Sequence, residues 1–305
     1  MSSFFVRTTP CVLFIFVCSF LLPFSPRAAA QESPYFVTYD HYLEEPGNLD
    51  IEYFSNYVGQ RSGSGLGALP GHDFLSYWGE FEYGATAWWT TDFYVDGQST
   101  FGDSTVFTGF RWENRFRPLR REHFINPVLY VEYENINGAD RVFKEAEGHD
   151  VASDLLAPNA ETRREQKHEI ETKLILSSSV KGWNVAENFL AAKNLANEPW
   201  EFGYALGVSH PLGLKTSGSC AFCRQSFIAG VEVYGGLGDR HSFGLRDTSH
   251  YLAPVIAWNL PRDWTVRLST GFGLNDNSNR FLLRWGLSHE IDGFGEMLRG
   301  WFRRH

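Results

Sequence analysis

From Trp264 to Leu274, and again from Phe281 to Ile291, apolar residues alternate with polar or very small ones. Successive side chains of a strand point to opposite faces, so Trp264, Val266, Leu268, Phe272 and Leu274 share one face. Thr265, Arg267, Ser269, Gly271 and Gly273 share the other. In the return strand Leu283, Trp285 and Leu287 oppose Arg284, Gly286 and Ser288. A broad aromatic face backed by Gly, Ser and Arg is the pattern of a sheet with lipid outside and packed polar groups or water inside.

Twelve segments carry this period-2 signature. They run Leu49–Val58, Leu75–Tyr83, Ala85–Val95, Thr105–Phe116, Pro127–Ile136, His168–Val180, Trp183–Ala192, Trp200–His210, Ser226–Gly235, His250–Asn259, Trp264–Leu274 and Phe281–Ile291. The expected fold is all-β, a transmembrane antiparallel up-and-down β-barrel of about 12 strands. With a periplasmic N-terminus, the inner connections fall at Gly84, 118–126, Lys181-Gly182, 211–225 and 260–263, and three of these five are tight. The longest connection, the charged stretch 137–167, then lies outside, as barrels of the outer membrane arrange it. Trp112, Trp183, Trp258 and Trp264 fall at expected periplasmic strand ends, where aromatic belts form.

Residues 1–30 read as a secretory signal, with Arg7, an apolar run from Val12 to Phe24, and Ala28-Ala29-Ala30 before the cleavage point. Residues 31–47 are then a periplasmic lead-in, 48–291 the barrel, and 292–305 a tail. In the tail Phe294, Met297, Leu298, Trp301 and Phe302 fit one helical face, that of a short amphipathic helix on the membrane surface. Composition agrees with a β protein: 26 Phe, 13 Tyr, 10 Trp and 29 Gly. The net charge of −9 argues against nucleic acid as a partner. Cys11 and Cys18 leave with the signal, and Cys220 and Cys223 are expected to form a local disulfide in an oxidising compartment.

The same parity turns Asp50, Glu52, Glu80, Glu82, Asp92, Glu113, Glu132, Glu134, Glu169, Glu171, Glu201 and Glu232 inward, against Arg111, Lys173, Arg267 and Arg284. Glu187 breaks the rule, since it shares a face with Val185 and Phe189. A net acidic lumen favours cations or polar neutral solutes. The competing reading is a lumen simply filled by ion pairs, with Arg267 and Arg284 neutralising acids on neighbouring strands. No catalytic residue is assigned: the adjacent pair His241-Ser242 lies in a loop, and a barrel-wall lipid hydrolase would need its Ser and His on one face, whereas strand neighbours point to opposite faces. The histidines form no metal-ligand spacing, so neither metal nor cofactor is expected. The run Gly63-Ser64-Gly65-Leu66-Gly67 precedes no helix and is read as a flexible loop.

The lead-in Leu43-Glu44-Glu45-Pro46-Gly47-Asn48-Leu49-Asp50 and the closing run Gly271-Phe272-Gly273-Leu274-Asn275-Asp276-Asn277-Ser278 resemble a family of outer-membrane transporter barrels of Gram-negative bacteria. The resemblance is spread over the mature chain. It implies a porin-like barrel in the outer membrane, surrounded by its lipids, acting as a passive channel or solute transporter. A structural or adhesin barrel is the alternative. The last strand, Arg284 to Ile291, looks like the signal read by the barrel-assembly machinery, with His289 and Ile291 where aromatics are preferred.

Overall fold

The structure is a computed structural model, and it describes residues 33–59, 73–140, 158–196, 198–213, 220–246 and 248–303. The signal segment, Gly63–Gly67 and 141–157 lie outside them. Twelve antiparallel strands form one closed barrel in which each pairs with its sequence neighbours and the last pairs with the first. They are β1 (Leu49–Gly59), β2 (Phe74–Thr86), β3 (Trp89–Thr100), β4 (Thr105–Phe116), β5 (Asn126–Asn137), β6 (Gln166–Val180), β7 (Trp183–Asn194), β8 (Trp200–Pro211), β9 (Phe227–Asp239), β10 (His250–Leu260), β11 (Trp264–Gly273) and β12 (Phe281–Ile291). A one-turn helix, α1 (Asn159–Thr162), lies in the loop between β5 and β6, and α2 (Phe294–Phe302) follows the last strand. Among the described residues no helix is long and apolar enough to cross a membrane.

Alternation sets the two faces. Phe93, Val131, Phe189, Leu206, Leu268 and Trp285 are exposed on the outside, while Asp92, Glu132, Arg267 and Arg284 are buried inside. Glu187 is exposed between Val185 and Phe189, on the outer face that its parity assigns. The rim where β1 begins and β12 ends, called here the terminal rim, carries an aromatic belt. Trp88, Trp89 and Phe116 pack together there, Trp264 stacks on His289 at 4.4 Å, and Phe222 and Phe227 flank Trp258. Cys220 and Cys223 form the disulfide of the β8–β9 connection, and the turn it closes accepts the Trp258 indole N–H at the Ala221 carbonyl, 2.6 Å.

Two expectations change. The first inner turn lies not at Gly84 but at Ala87-Trp88, because Gly84 stays within β2 and a one-residue irregularity follows it. Gly84 is needed in the strand for a close approach: a Cβ there would lie 2.1 Å from the Glu45 carbonyl oxygen. Its own N–H and C=O bond to Asn48 O and Gly47 N. The second change concerns the lead-in. From Ser33 to Glu45 it runs inside the barrel instead of beneath it, and it lines the luminal cavity together with wall residues. A side chain at position 84 would collide with backbone, which has no rotamer by which to yield. G84V is therefore expected to lower stability by about 1 to 3 kcal/mol and to shift the thermal unfolding midpoint accordingly.

Candidate functional site in the barrel lumen

The wall of the lumen has two unlike halves. On β7 to β10 the inward positions are mostly small or apolar: Ala186, Ala192, Ala205, Gly207, Gly230, Ala253, Val255 and Ala257. These residues leave a trough, and the luminal segment lies in it. Gly207 faces the Tyr35 ring so closely that a Cβ would come within 2.8 Å of it. Val37 packs on a cluster of Ala205, Tyr234, Tyr251 and Ala253, and Tyr35 on Ala186 and Val255.

The segment bends at Phe36 and Val37 and forms no strand, so its backbone polar groups have no neighbouring strand to bond to and must find side chains. Glu232, fully buried on β9, supplies most of them. Its carboxylate accepts the N–H groups of Phe36 at 3.1 Å, Val37 at 2.9 Å and Thr38 at 2.7 Å. Asn188 on β7 makes a reciprocal pair with Tyr39, accepting its N–H at 2.6 Å and donating to its C=O at 2.8 Å. The His41 N–H donates to the Ser177 hydroxyl at 3.0 Å, and the His41 ring bonds to the same hydroxyl. Tyr35 anchors the start, its hydroxyl bonded to Ser209 and Asn184.

The other half of the wall is acidic. Glu290, Asp50, Glu82, Asp92, Glu113, Glu132 and Glu171 stand directly opposite one another in an unbroken row from β12 through β1 to β6. A neighbouring row sets Glu52 against Glu80 and Glu134 against Glu169. Like charges facing across strands are destabilising, so the basic residues are placed to bridge them. Arg115 reaches Glu82 at 2.5 Å, Glu113 at 2.9 Å and Asp92 at 3.1 Å. Arg111 pairs with Asp96 at 3.1 Å and Glu132 at 3.4 Å, Lys173 with Glu171 at 2.8 Å, and Arg267 with Glu52 at 2.8 Å. Tyr94 donates to Glu113, and its hydroxyl also bonds to Glu80. The sequence-derived set thus lies on one inner wall, apart from Glu201 and Glu232 on β8 and β9.

Tyr39 ties the two halves together. Its ring lies under Arg115 at 5.4 Å and Lys173 at 4.6 Å, and its hydroxyl donates to Glu113 at 3.2 Å. Sequence reasoning missed it because it precedes the first strand. It also missed Arg115, although its parity matches Arg111 and Glu113, and Asp96, which lies one residue past the expected end of the third strand. The alternative that Arg267 and Arg284 both neutralise acids holds for Arg267 alone. Among the described residues no carboxylate ion-pairs with Arg284, which lies on β12 four residues from Ser288, the partner of Glu52, and opposite Asn56.

A cavity of about 670 Å³ remains between the segment and the acidic wall. It reaches the terminal rim at Lys181, Trp183 and Glu290, and ends inward at Asn56, Trp78, Arg111 and Arg284. Toward the opposite rim Val58, Phe74, Tyr234, Tyr251 and Leu282 form an apolar cluster on the inner wall. Oxygens of Glu80, Glu82 and Asp92 lie within 4.8 Å of one another, a spacing suited to a cation. The Arg115 guanidinium is the cation placed between Glu82 and Asp92. Away from the lumen, the backbone N–H groups of His241 and Ser242 both donate to Asp239, and the His241 ring accepts from Arg240.

Burial pushes the Asp40 carboxyl of the segment up to about 6, against the Tyr42 N–H and the charges of Arg115 and Arg267, which draw it down. An acid whose affinity for its proton is raised in the docked state favours docking while it is protonated. That contribution is full below its ordinary value of 3.8 and is lost as the pH rises through about 6. Thermal unfolding followed between about pH 4 and pH 8 is expected to show this loss in the natural protein. D40N should remove it, and an unchanged slope in D40N would show that Asp40 is not its source.

No family model matches the sequence, and no curated protein matches it. Among solved structures, an outer membrane channel from Pseudomonas putida F1 is similar at a TM-score of 0.52 and 12% identity, over 83% of this chain and 98% of that one. The KdgM porin in complex with disordered oligogalacturonate follows at 0.45 and 6%, over 79% and 98%. LpxR from Salmonella typhimurium aligns at 0.39 and 12%, over 79% and 99%. At these identities what the chain shares with the Pseudomonas channel is its fold, the closed β-barrel.

Proposed function

We propose that the protein is an outer-membrane channel for small polar or cationic solutes, narrowed by its own N-terminal segment. The observation that carries this reading is the row of seven carboxylates on the inner wall, of which Glu290, Asp50 and Glu82 line a 670 Å³ luminal cavity together with Glu52 and Glu80 of the neighbouring row. A structural barrel gains nothing from directly opposed like charges, whereas a pore gains a wall that attracts cations. The exposed apolar girdle and the aromatic belt at one rim suit a bilayer, with the terminal rim on the periplasmic side.

In this reading residues 1–30 are removed on export, and the last strand is read by the barrel-assembly machinery. The barrel works as a monomer or trimer, without enzymatic activity, metal or cofactor. Helix α2 rests on the periplasmic lipid surface: its Met297, Trp301 and Phe302 are exposed, and its start is fixed to the rim by the Gly295 N–H on Gly47 O at 2.9 Å. Asp239 holds both backbone N–H groups of the His241-Ser242 pair, so that loop is built as a turn, which favours the channel over a hydrolase.

Planar-bilayer recordings of the refolded protein lacking residues 1–30 test the channel. Small, cation-selective currents are expected. Deleting residues 33–45 should raise the unitary conductance several-fold, and E80Q or E132Q should lower the preference for cations. A barrel that stays nonconducting even without the segment would overturn the reading.

A further inference from the structure

Above the ion-paired acidic rows, a buried arginine of the lumen makes no ion pair among the described residues. Arg284 on β12 is only 2% exposed, and its Nε and Nη2 make no hydrogen bond among the described residues. Its neighbour Tyr234 turns a ring face to it, 4.9 Å from the guanidinium carbon, and a hydroxyl that interacts with it. The residues in register with it are equally unsatisfied. Asn56 lies opposite on β1 and Ser269 opposite on β11, and Ser76 continues the row on β2. The Asn56 Oδ1 and the Ser269 and Ser76 hydroxyl oxygens are buried without a partner among the described residues. Buried charges are ordinarily paired, because an isolated one loses its hydration without compensation. Arg284 and Asn56 also form part of the inner end of the luminal cavity.

The geometry points to a carboxylate-binding subsite at this end of the cavity, with the Arg284 guanidinium as its anchor and a small hydroxy acid as its ligand. Nε and Nη2 form one edge of the guanidinium, and that edge is the fork that receives both oxygens of a carboxylate. A rotation of the flexible Arg284 side chain brings it to the cavity. The ligand's hydroxyls then meet the Asn56 amide oxygen, which lines the cavity and which a chloride ion would leave unpaired. One guanidinium among neutral groups matches a single negative charge, and the carboxylate rows below disfavour a dianion such as phosphate. The site does not depend on conduction, because a barrel that passes no current would still bind.

Calorimetric titration of the refolded barrel in detergent with sodium gluconate, sodium phosphate and sodium chloride tests the assignment. Saturable gluconate binding is expected, weakened at least about tenfold in R284Q. A second variant guards against misfolding of the first. N56D sets a carboxylate directly opposite Arg284, and should both abolish gluconate binding and raise the thermal unfolding midpoint. Absence of saturable gluconate binding to the natural protein, or equal binding by R284Q and N56D, would overturn the subsite. Tighter binding of phosphate than of gluconate would overturn its assignment to a carboxylate.

Discussion

The Glu232 carboxylate, with three successive backbone N–H groups of the luminal segment converging on it, is the interaction around which the interior is organised. A barrel of eight strands is filled by its own side chains, and one of sixteen encloses water. Twelve strands lie between, and here a strip of non-strand chain occupies part of the gap. Hydrogen bonds to a charged acceptor contribute about 1.5 to 3 kcal/mol each, so a single buried glutamate holds the strip against the entropy of releasing it. The remaining contacts set where the strip lies: the trough of Ala and Gly on β7 to β10, the Asn188 bracket and the Tyr35 anchor.

Docking the segment on the neutral half of the wall leaves the acidic half facing the cavity. Opposed carboxylates need cations between them: Arg115, Arg111 and Lys173 are each placed two positions along a strand from an acid, and Arg267 reaches past β12 to Glu52. Tyr39 joins the halves, because a ring face attracts both Arg115 and Lys173 while its hydroxyl reaches Glu113. Charge, packing and the course of the segment are therefore one arrangement. Moving the segment removes a cation-binding ring from the acidic wall as well as opening space.

The barrel itself was legible, since a two-residue period survives any loop and fixes which side chains point inward. The alternation of Trp264 to Leu274 and Phe281 to Ile291 placed Arg267 and Arg284 on the inner face, where both are buried. Turn positions were less legible. Gly84 reads as a turn residue, yet its role is to admit the Glu45 backbone, a contact between distant parts of the chain that no local pattern encodes. The position of the lead-in was hidden for the same reason: its polar and aromatic mixture reads as an exposed segment until the trough that receives it is assembled. Parity also cannot tell which acids and bases meet, so the separation of Arg267, paired with Glu52, from Arg284 emerged only in three dimensions.

Amide hydrogen exchange of Phe36, Val37 and Thr38, measured on the folded barrel in lipid nanodiscs, tests the docked segment most directly. The account predicts exchange slowed to the range of the barrel strands, because each of these N–H groups is bonded to Glu232 inside the lumen. Exchange at the rate of an unstructured peptide would contradict it.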